Sequence, residues 1–324
     1  MNFALHVHET GGPEVMQWEE CPVGEPGHGE VRLRHTAIGV NFIDVYYRTG
    51  LYPAPRPFIP GREGAGIVEA VGPGVNLFKA GDRVAYASVM GSYSQERLIA
   101  ADQLVMVPDG VDDRTAAAIT LQGMTARYLI KQVYRVTAGE TILVHAAAGG
   151  VGQLLCQWAS HLGATVIGTV SSDEKAAIAA GAGCHYPVVI GREDFVARVA
   201  AVTDGEKVPV VYDSVGRDTF EGSLDCLRPL GMMVVFGQSS GTIPPFEINL
   251  LARKGSLVLT RPVLSTFIST RATLEATAAD VYDAVASGIL KPAINQTYSL
   301  RDAAKAHRDL EARRTTGSTV LLPS

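Results

Sequence analysis

A short apolar run that leads into a glycine-rich turn restricts the fold of this chain most. The run over residues 141–144 passes through small residues into the turn, and apolar side chains then recur at helical spacing as far as Leu162. This pattern predicts a strand, a tight turn and a helix. The turn consists of Gly149, Gly150, Val151 and Gly152. Its backbone N–H groups and the helix N-terminus suit a pyrophosphate, so we predict a dinucleotide site. Because Ala147 replaces the first glycine of the full motif, an ordinary strand-to-helix turn is the alternative interpretation.

The residues after the next predicted strand indicate which dinucleotide binds. That strand covers residues 164–170, and Val170 stands where an NAD-selecting site carries an acidic residue. Ser171, Ser172 and Lys175 follow, and two hydroxyls with one cation suit a 2′-phosphate. We therefore predict NADPH as the cofactor. In the alternative interpretation Ser172 caps a helix and Lys175 is a solvated charge, and capping is compatible with phosphate binding.

The remaining apolar runs predict the fold class and the domain boundaries. Runs at 208–213, 232–237 and 256–260 are short and not alternating, which favours an α/β fold with a doubly wound parallel sheet. Residues up to about 120 form alternating segments between Gly and Pro clusters, which predicts a mostly β domain. After residue 265 we expect helices over 273–287 and 299–313, the latter with a capping box at Ser299 and Asp302, and a strand over 318–322. We therefore predict a discontinuous domain, 1–122 with 265–324, around a nucleotide-binding domain, 123–264.

Composition limits the classes of partner and the compartment. The formal charge of -5 and the lack of any basic run argue against nucleic-acid binding. The four cysteines have no C-x-x-C spacing, so we expect reduced thiols and a cytoplasmic protein. No run of apolar residues is long enough for a membrane span, and the start lacks the pattern of an export signal.

Several co-linear motifs resemble the medium-chain dehydrogenase/reductase superfamily, and within it the zinc-free NADPH:quinone oxidoreductases (zeta-crystallin-like). The motifs are at 11–15, 41–46, 48–53, 61–66, 145–152, 212–216 and 260–262. The resemblance implies a GroES-like β-rich catalytic domain, a Rossmann domain, an active site in the cleft, and a homodimer joined through the cofactor domains.

The same resemblance indicates that no metal is bound. Where related alcohol dehydrogenases have catalytic zinc ligands, this chain has Asn41, Arg62 and Gln122. None of these is a thiolate, an imidazole or a carboxylate, so we expect no zinc. Without a Lewis acid the enzyme needs an acceptor that already attracts hydride, and a quinone meets that need.

We predict the catalytic residues on this basis. Asn41, Tyr46 and Tyr52 are expected to line the site and orient the acceptor carbonyl, with Gln122 nearby. The alternatives are that Tyr46 belongs to the core and that Asn41 caps a helix.

The resemblance also implies a set of cofactor contacts. Besides Asn41 and the residues already given for the turn and the 2′-phosphate, these are Tyr128, Val215, Gly237, Gln238, Ser239, Ser240, Pro262, Val263, Leu264 and Arg313. Arg313 is alternatively a cation at a helix C-terminus. On the adenosine side the chain departs from the family pattern, and either Tyr186 or Arg192 is expected to serve there.

Two other functions stay open at this point. One is an NADPH-dependent reductase of activated double bonds in alkenals or enones. The other is a non-enzymatic NADPH-binding protein, either structural or RNA-binding, although the acidic balance argues against RNA.

Overall fold

Two units make up the chain in the computed structural model, which describes residues 1–323. The first contains Met1–Met124, Ile268–Ala286 and the residues from Pro292 onward, and the second contains Thr125–Phe267 and Ser287–Lys291. The predicted boundaries at 122 and 264 differ from these by two and three residues. The short return of 287–291 to the second unit was not expected from the sequence.

The first unit is built mainly from antiparallel strands. Its elements up to the second unit are β1 (Phe3–Val7), β2 (Met16–Glu20), β3 (Glu30–Val40), α1 (Phe42–Arg48), β4 (Glu63–Val71), β5 (Arg83–Ala87), β6 (Glu96–Ala100), β7 (Val105–Met106) and α2 (Asp113–Tyr128), whose last residues lie in the second unit. The strands form a two-stranded sheet, β1-β2, and a seven-stranded sheet of order β14-β15-β3-β4-β5-β7 in which β6 also pairs with β3.

The second unit carries strands and helices in alternation. Its elements are β8 (Thr141–Val144), α3 (Gly150–His161), β9 (Thr165–Val170), α4 (Asp173–Gly181), β10 (Tyr186–Val189), α5 (Phe195–Val202), β11 (Val208–Asp213), α6 (Phe220–Cys226), β12 (Leu227–Val235), α7 (Asn249–Arg253), β13 (Val258–Thr260) and α8 (Leu264–Phe267). The chain then returns to the first unit with α9 (Arg271–Ala286), β14 (Ile294–Ser299), α10 (Ala303–Glu311) and β15 (Ser318–Leu322).

All six strands of the second unit run parallel, in the order β10-β9-β8-β11-β12-β13. Counted from β8 this is 3-2-1-4-5-6, the order of a Rossmann fold, with its switch point between β8 and β11. Every residue of β11 is buried, because helices cover both faces of such a sheet. The predicted α/β class is therefore confirmed.

The edge of the first unit's sheet is completed by the end of the chain. β15 pairs antiparallel with β3, and β14 pairs parallel with β15. Leu33 and Ile38 of β3 are fully buried, and the strand divides its side chains between two clusters of the core. The long strand β3 thus joins the tail strands to the rest of the sheet.

One predicted helix start was wrong. Ser299 ends β14, a 3₁₀ turn follows over Leu300–Asp302, and α10 begins only at Ala303. Neither Ser299 nor Asp302 makes a side-chain capping hydrogen bond. The pattern S-x-x-D resembled a capping box, but strand pairing with β15 extends the backbone as far as Ser299. Within residues 1–323, no helix combines the length and apolarity required to cross a membrane.

Candidate functional site

Most of the predicted cofactor contacts follow the carboxyl ends of the parallel strands in the second unit. Because the strands are parallel, these segments meet at one edge of the sheet, where ligands of open α/β sheets bind. The segments are 149–151 after β8, 171–175 after β9, 215 after β11, 237–240 after β12 and 262–264 after β13. The structure therefore brings this part of the predicted set together.

The glycine turn after β8 requires glycine at position 152 for steric reasons. A Cβ on Gly152 would lie 2.2 Å from the carbonyl oxygen of Ala146 and 2.9 Å from the Cα of Ala147. Ala146 itself has a φ of 53°. Gly149 precedes the first residue of α3, and its N–H donates to the Ala146 carbonyl at 2.9 Å. The turn thus packs the start of α3 directly against the end of β8.

The end of β9 shows the helix cap that the sequence allowed. The Ser172 Oγ accepts a hydrogen bond from the backbone N–H of Lys175 at 3.3 Å, at the start of α4. A hydroxyl that accepts in this way keeps its own O–H to donate. Capping by Ser172 therefore leaves a donor for a ligand beside Ser171.

The two candidates for the adenosine side, Tyr186 and Arg192, lie at opposite ends of β10. Tyr186 begins β10 and pairs with Ile167, three residues before the carboxyl end of that strand. Arg192 follows the end of β10 and makes an ion pair with Asp173 at 2.8 Å. Since ligands bind beyond the carboxyl ends, this register favours Arg192 and disfavours Tyr186, which is 39% exposed.

A buried carboxylate shapes the turn after β11. Asp213 is fully buried, and its Oδ1 accepts from the N–H of Val215 at 2.7 Å and of Gly216 at 3.0 Å. The Ser240 hydroxyl donates to the carbonyl of Val215 at 2.8 Å, which ties the segment after β12 to the same turn. A Cβ on Gly237 would lie 2.6 Å from the Ser214 carbonyl oxygen. The segments around Val215 and Gly237 are therefore held against each other.

The other predicted cofactor contacts have varied surroundings. Tyr128 is buried and stacks on Phe267 with ring centroids 4.4 Å apart. Val263 is exposed, whereas Leu264 is buried and begins α8. Arg313 belongs to the first unit and lies two residues beyond the end of α10 with a φ of 58°, which fits its alternative role at a helix C-terminus.

In the first unit, Asn41 and Gln122 belong to one buried hydrogen-bond network. The Asn41 Nδ2 donates to Glu63 Oε2 at 2.8 Å, and the Gln122 Nε2 donates to Asn41 Oδ1 at 3.1 Å. The Ser318 hydroxyl donates to Gln122 Oε1 at 2.9 Å, and the Leu121 N–H donates to Glu63 Oε1 at 2.6 Å. Both carboxyl oxygens of Glu63 act as acceptors here, so Glu63 sets the orientation of the Asn41 amide and, through it, that of Gln122.

The Glu63 carboxyl is fully buried, and burial raises its pKa to about 8. The hydrogen bonds from Asn41 and Leu121 act in the opposite direction, and the charge of Asp44 raises the pKa further. Gly39 leaves space for this carboxyl, because a Cβ there would lie 2.4 Å from Glu63 Oε2.

A second buried carboxyl lies in the helix that carries Tyr46. Asp44 Oδ2 accepts from the N–H of Asn41 at 2.9 Å and from the Tyr93 hydroxyl at 3.1 Å. Burial raises the pKa of Asp44 to about 7, against these hydrogen bonds and the charge of Arg62. Tyr93 also contacts His307 Nε2 at 2.9 Å. Asn41 thus lies at the N-cap of α1, which was the alternative to a catalytic role, and its side chain donates to Glu63.

The predicted tyrosines form a packed cluster with a third. The rings of Tyr46 and Tyr52 meet edge to face at a centroid distance of 5.2 Å, and those of Tyr47 and Tyr52 at 5.6 Å. Tyr46 is 7% exposed, so its alternative role in the core has support. We call Tyr46, Tyr47 and Tyr52 the tyrosine cluster.

Sequence reasoning missed Glu63, Asp44 and Ser318. Glu63 lies inside the motif Gly61–Gly66, and a lone acidic residue between glycines and an apolar strand was a usable signal. Asp44 stands three residues after Asn41, the spacing of an N-terminal capping pair. Nothing local indicates Ser318.

The positions compared with zinc ligands do not form a donor set for a metal. Among residues 1–323 no group of three or more His, Cys, Asp or Glu side chains is arranged to hold a metal ion. Asn41 and Gln122 bond to each other, and Arg62 donates to the Tyr47 hydroxyl at 2.8 Å.

The two units have the architecture of one superfamily. The alcohol dehydrogenase GroES-like domain matches residues 27–138, and the zinc-binding dehydrogenase domain matches residues 150–281. Together with the 3-2-1-4-5-6 parallel sheet, these matches define a medium-chain dehydrogenase/reductase.

Full-length relatives narrow the class. The chain is 52% identical to a quinone oxidoreductase of Pseudomonas aeruginosa, with 97% of each chain covered. It is 47% identical to a 2-haloacrylate reductase of a Burkholderia species, with 100% of this chain and 99% of that one covered. The crystal structure of Escherichia coli quinone oxidoreductase complexed with NADPH is 46% identical, has a TM-score of 0.97, and is matched over 99% of this chain and 100% of that one. The chain belongs to the quinone oxidoreductase family of this superfamily.

Proposed function

We propose that this protein is an NADPH-dependent quinone reductase that works without a metal ion. The observation that carries the proposal is that one chain combines a Rossmann sheet with the buried Glu63–Asn41–Gln122 network, in which amides occupy positions compared with zinc ligands. Full-length relatives named as quinone oxidoreductases, one of them solved with NADPH, support the same function.

The second unit fits this cofactor. The turn closed by Gly152 brings the N-terminus of α3 to the end of β8, where backbone N–H groups suit a pyrophosphate. Ser171, Ser172 and Lys175 follow β9 and would hold the 2′-phosphate, since no acidic residue ends that strand. When bound, NADPH supplies a hydride from its nicotinamide ring.

In the first unit we assign the acceptor to Asn41, Gln122, Tyr46 and Tyr52. The Asn41 Nδ2 carries two N–H groups, and Glu63 accepts only one of them. The other is the donor that we assign to the acceptor carbonyl, where negative charge develops during reduction. Glu63 and Gln122 keep this amide from turning, so the donor is oriented in advance. The rings of Tyr46 and Tyr52 offer an aromatic surface on which a flat quinone can pack.

Steady-state oxidation of NADPH with 1,4-benzoquinone tests this function. We expect enzyme-dependent turnover that is faster with NADPH than with NADH. The double variant Tyr46→Phe with Tyr52→Ala should reduce quinone turnover. Unchanged turnover would remove both tyrosines from the site.

A reductase of activated double bonds is the second candidate. It is favoured by the relative of 47% identity that is named a 2-haloacrylate reductase. The test is a side-by-side assay of a benzoquinone and a short enone with NADPH, and faster reduction of the enone would favour this candidate. The third alternative, RNA binding, would require salt-dependent retention on single-stranded RNA, against a net charge of -5.

We also propose a homodimer joined through the second unit, and a cytoplasmic location. β13 is the last strand of its sheet and, among residues 1–323, pairs with β12 alone. It exposes 44% of Val258, so its free edge suits a second copy of the strand. The four cysteines are free thiols, as in a reducing compartment. Light scattering should give the mass of a dimer, and Val258→Lys should give a monomer.

A further inference from the structure

Arg62 is a half-buried cation whose neighbours do not neutralise it. Its Nη1 donates to the Tyr47 hydroxyl at 2.8 Å, its Nη2 donates to the carbonyl of Ser88, and its Cζ lies 5.2 Å from the centroid of the Tyr47 ring. Its Nε is buried and finds no hydrogen-bond partner among residues 1–323. In the part of the chain that the structure describes, no carboxylate oxygen comes within 4.0 Å of its nitrogen atoms.

The backbone around Arg62 holds this cation in place. Gly61 has a φ of 87°, and a Cβ there would lie 2.1 Å from Ser92 Oγ, so the backbone before Arg62 packs closely against Ser92. The Ser88 N–H donates to the Arg62 carbonyl at 2.8 Å, while the guanidinium donates back to the Ser88 carbonyl. The two hydrogen bonds with Ser88 therefore hold both the backbone and the guanidinium of Arg62 in place.

Arg62 links the two groups of residues that we assign to the acceptor. Its neighbour in sequence, Glu63, binds the Asn41 amide. Its hydrogen-bond partner, Tyr47, packs against Tyr52, which in turn packs against Tyr46. Its charge lowers the pKa of Asp44, but the Oδ2 of that carboxyl accepts from the Asn41 N–H and the Tyr93 hydroxyl.

A guanidinium has five N–H donors and stays protonated at any ordinary pH. Two of the five are used on neutral oxygen atoms here, so hydrogen-bonding capacity and charge are both left over. A carboxylate satisfies both, because it accepts two parallel N–H bonds from the planar fork.

We propose that Arg62 binds the carboxylate of an anionic acceptor, so that the site prefers electron-poor acceptors carrying a carboxylate beside the reducible ring or double bond over their neutral esters. The inference rests on the proposed function and adds the substrate class. The competing explanation is a purely structural one, in which Arg62 only ties Tyr47 to the Ser88 backbone and its charge has no effect on substrate choice.

The experiment compares kcat/KM with NADPH for 1,4-naphthoquinone-2-carboxylate and for its methyl ester. The ratio of the two values cancels general losses of activity. Arg62→Gln should lower this ratio about tenfold or more, the effect of losing a charged hydrogen bond. Arg62→Lys keeps the charge without the fork and should give an intermediate ratio.

Arg97→Gln is the matched control. Arg97 is also a cation over a tyrosine ring, 5.3 Å from the centroid of Tyr86, and its Nη1 donates to the Tyr86 hydroxyl at 3.3 Å. It lies in β6, where its Nε donates to the carbonyl of Leu98, so its substitution should leave the wild-type ratio.

Two further measurements separate the possible failures. In the wild-type enzyme, added salt should lower the ratio because salt screens the attraction between Arg62 and the carboxylate. This measurement does not depend on a variant that folds. An unchanged ratio in Arg62→Gln, or a wild-type ratio insensitive to salt, would overturn the inference. If the wild-type enzyme does not oxidise NADPH with the neutral ester at all, the proposed function fails independently of Arg62.

Discussion

The buried Glu63 carboxyl should make the stability of this protein depend on pH, and Glu63→Gln should reduce that dependence. The carboxyl is fully buried and accepts from Asn41 and the Leu121 N–H. Glutamine has nearly the same shape but does not ionise. Because a glutamine has one acceptor oxygen where Glu63 accepts with two, the substitution also disturbs one of these hydrogen bonds. The ionisation is therefore tested by the pH dependence of the stability and not by its absolute value.

The magnitude follows from the shifted pKa. Burial raises the pKa of Glu63 from 4.5 to about 8, so the folded state binds more protons than the unfolded state between these values. The stabilising contribution is complete below the unfolded value and is lost as the pH rises through the folded value. Between the two pKa values, each pH unit lowers the free energy of unfolding by about 1.4 kcal/mol. From about pH 5.5 to about pH 8.5, the Glu63 carboxyl should therefore cost at most roughly 3 kcal/mol of stability.

Urea unfolding of the wild type and of Glu63→Gln at these two pH values measures the effect. The wild type should lose more stability than the variant on going to the higher pH, by up to about 3 kcal/mol. Glu69→Gln is the control on the same strand, since Glu69 pairs with Arg34 at the surface, and it should follow the wild type. Parallel pH profiles of the wild type and Glu63→Gln would refute the reasoning.

Three further predictions follow from the contacts. Gly152→Ala should destabilise the protein by roughly 1–3 kcal/mol and weaken NADPH binding in a fluorescence titration, because its Cβ meets the Ala146 carbonyl. Gly181→Ala is the control: a Cβ there meets nothing within 4 Å, so this variant should be neutral or stabilising. Lys175→Ala should raise the KM for NADPH about tenfold and that for NADH much less, and equal effects would contradict a 2′-phosphate contact. Arg48→Met should lower the free energy of unfolding by about 3 kcal/mol, because the buried Arg48 side chain pairs with Glu311. Arg314→Met removes an ion pair with Asp309 at the surface and should have a much smaller effect. Equal losses of stability in urea unfolding would argue against the difference in burial.

The Rossmann half was predictable because its signals are local. The runs that become β8, β9 and β11 are short and mostly apolar, as is typical of a sheet covered on both faces. The segments that follow strands β8, β9, β11, β12 and β13 could then be placed at one edge of the sheet. Tyr186 shows where this reasoning stops, since only the register of β10 reveals that it lies before the strand end.

The network in the first unit was only partly predictable. Asn41 and Gln122 were chosen by resemblance, but their mutual contact spans positions far apart in the chain. Glu63 and Asp44 were missed because the sequence does not distinguish a buried carboxyl group from a solvated one. Their burial depends on long-range strand pairing, such as that of β3 with β4, which local patterns do not specify. The same dependence explains the wrong capping box at Ser299, where pairing with β15 prevails over the local signal.

The central claim is that this chain reduces quinones with NADPH while its own side chains, and no metal ion, assist the acceptor. The most direct measurement is turnover by protein that has been dialysed against a chelator and shown by elemental analysis to be free of metal. The account predicts that loss of NADPH and formation of hydroquinone proceed in equal amounts, at the rate of untreated protein. Loss of turnover that returns only when zinc is added would contradict it.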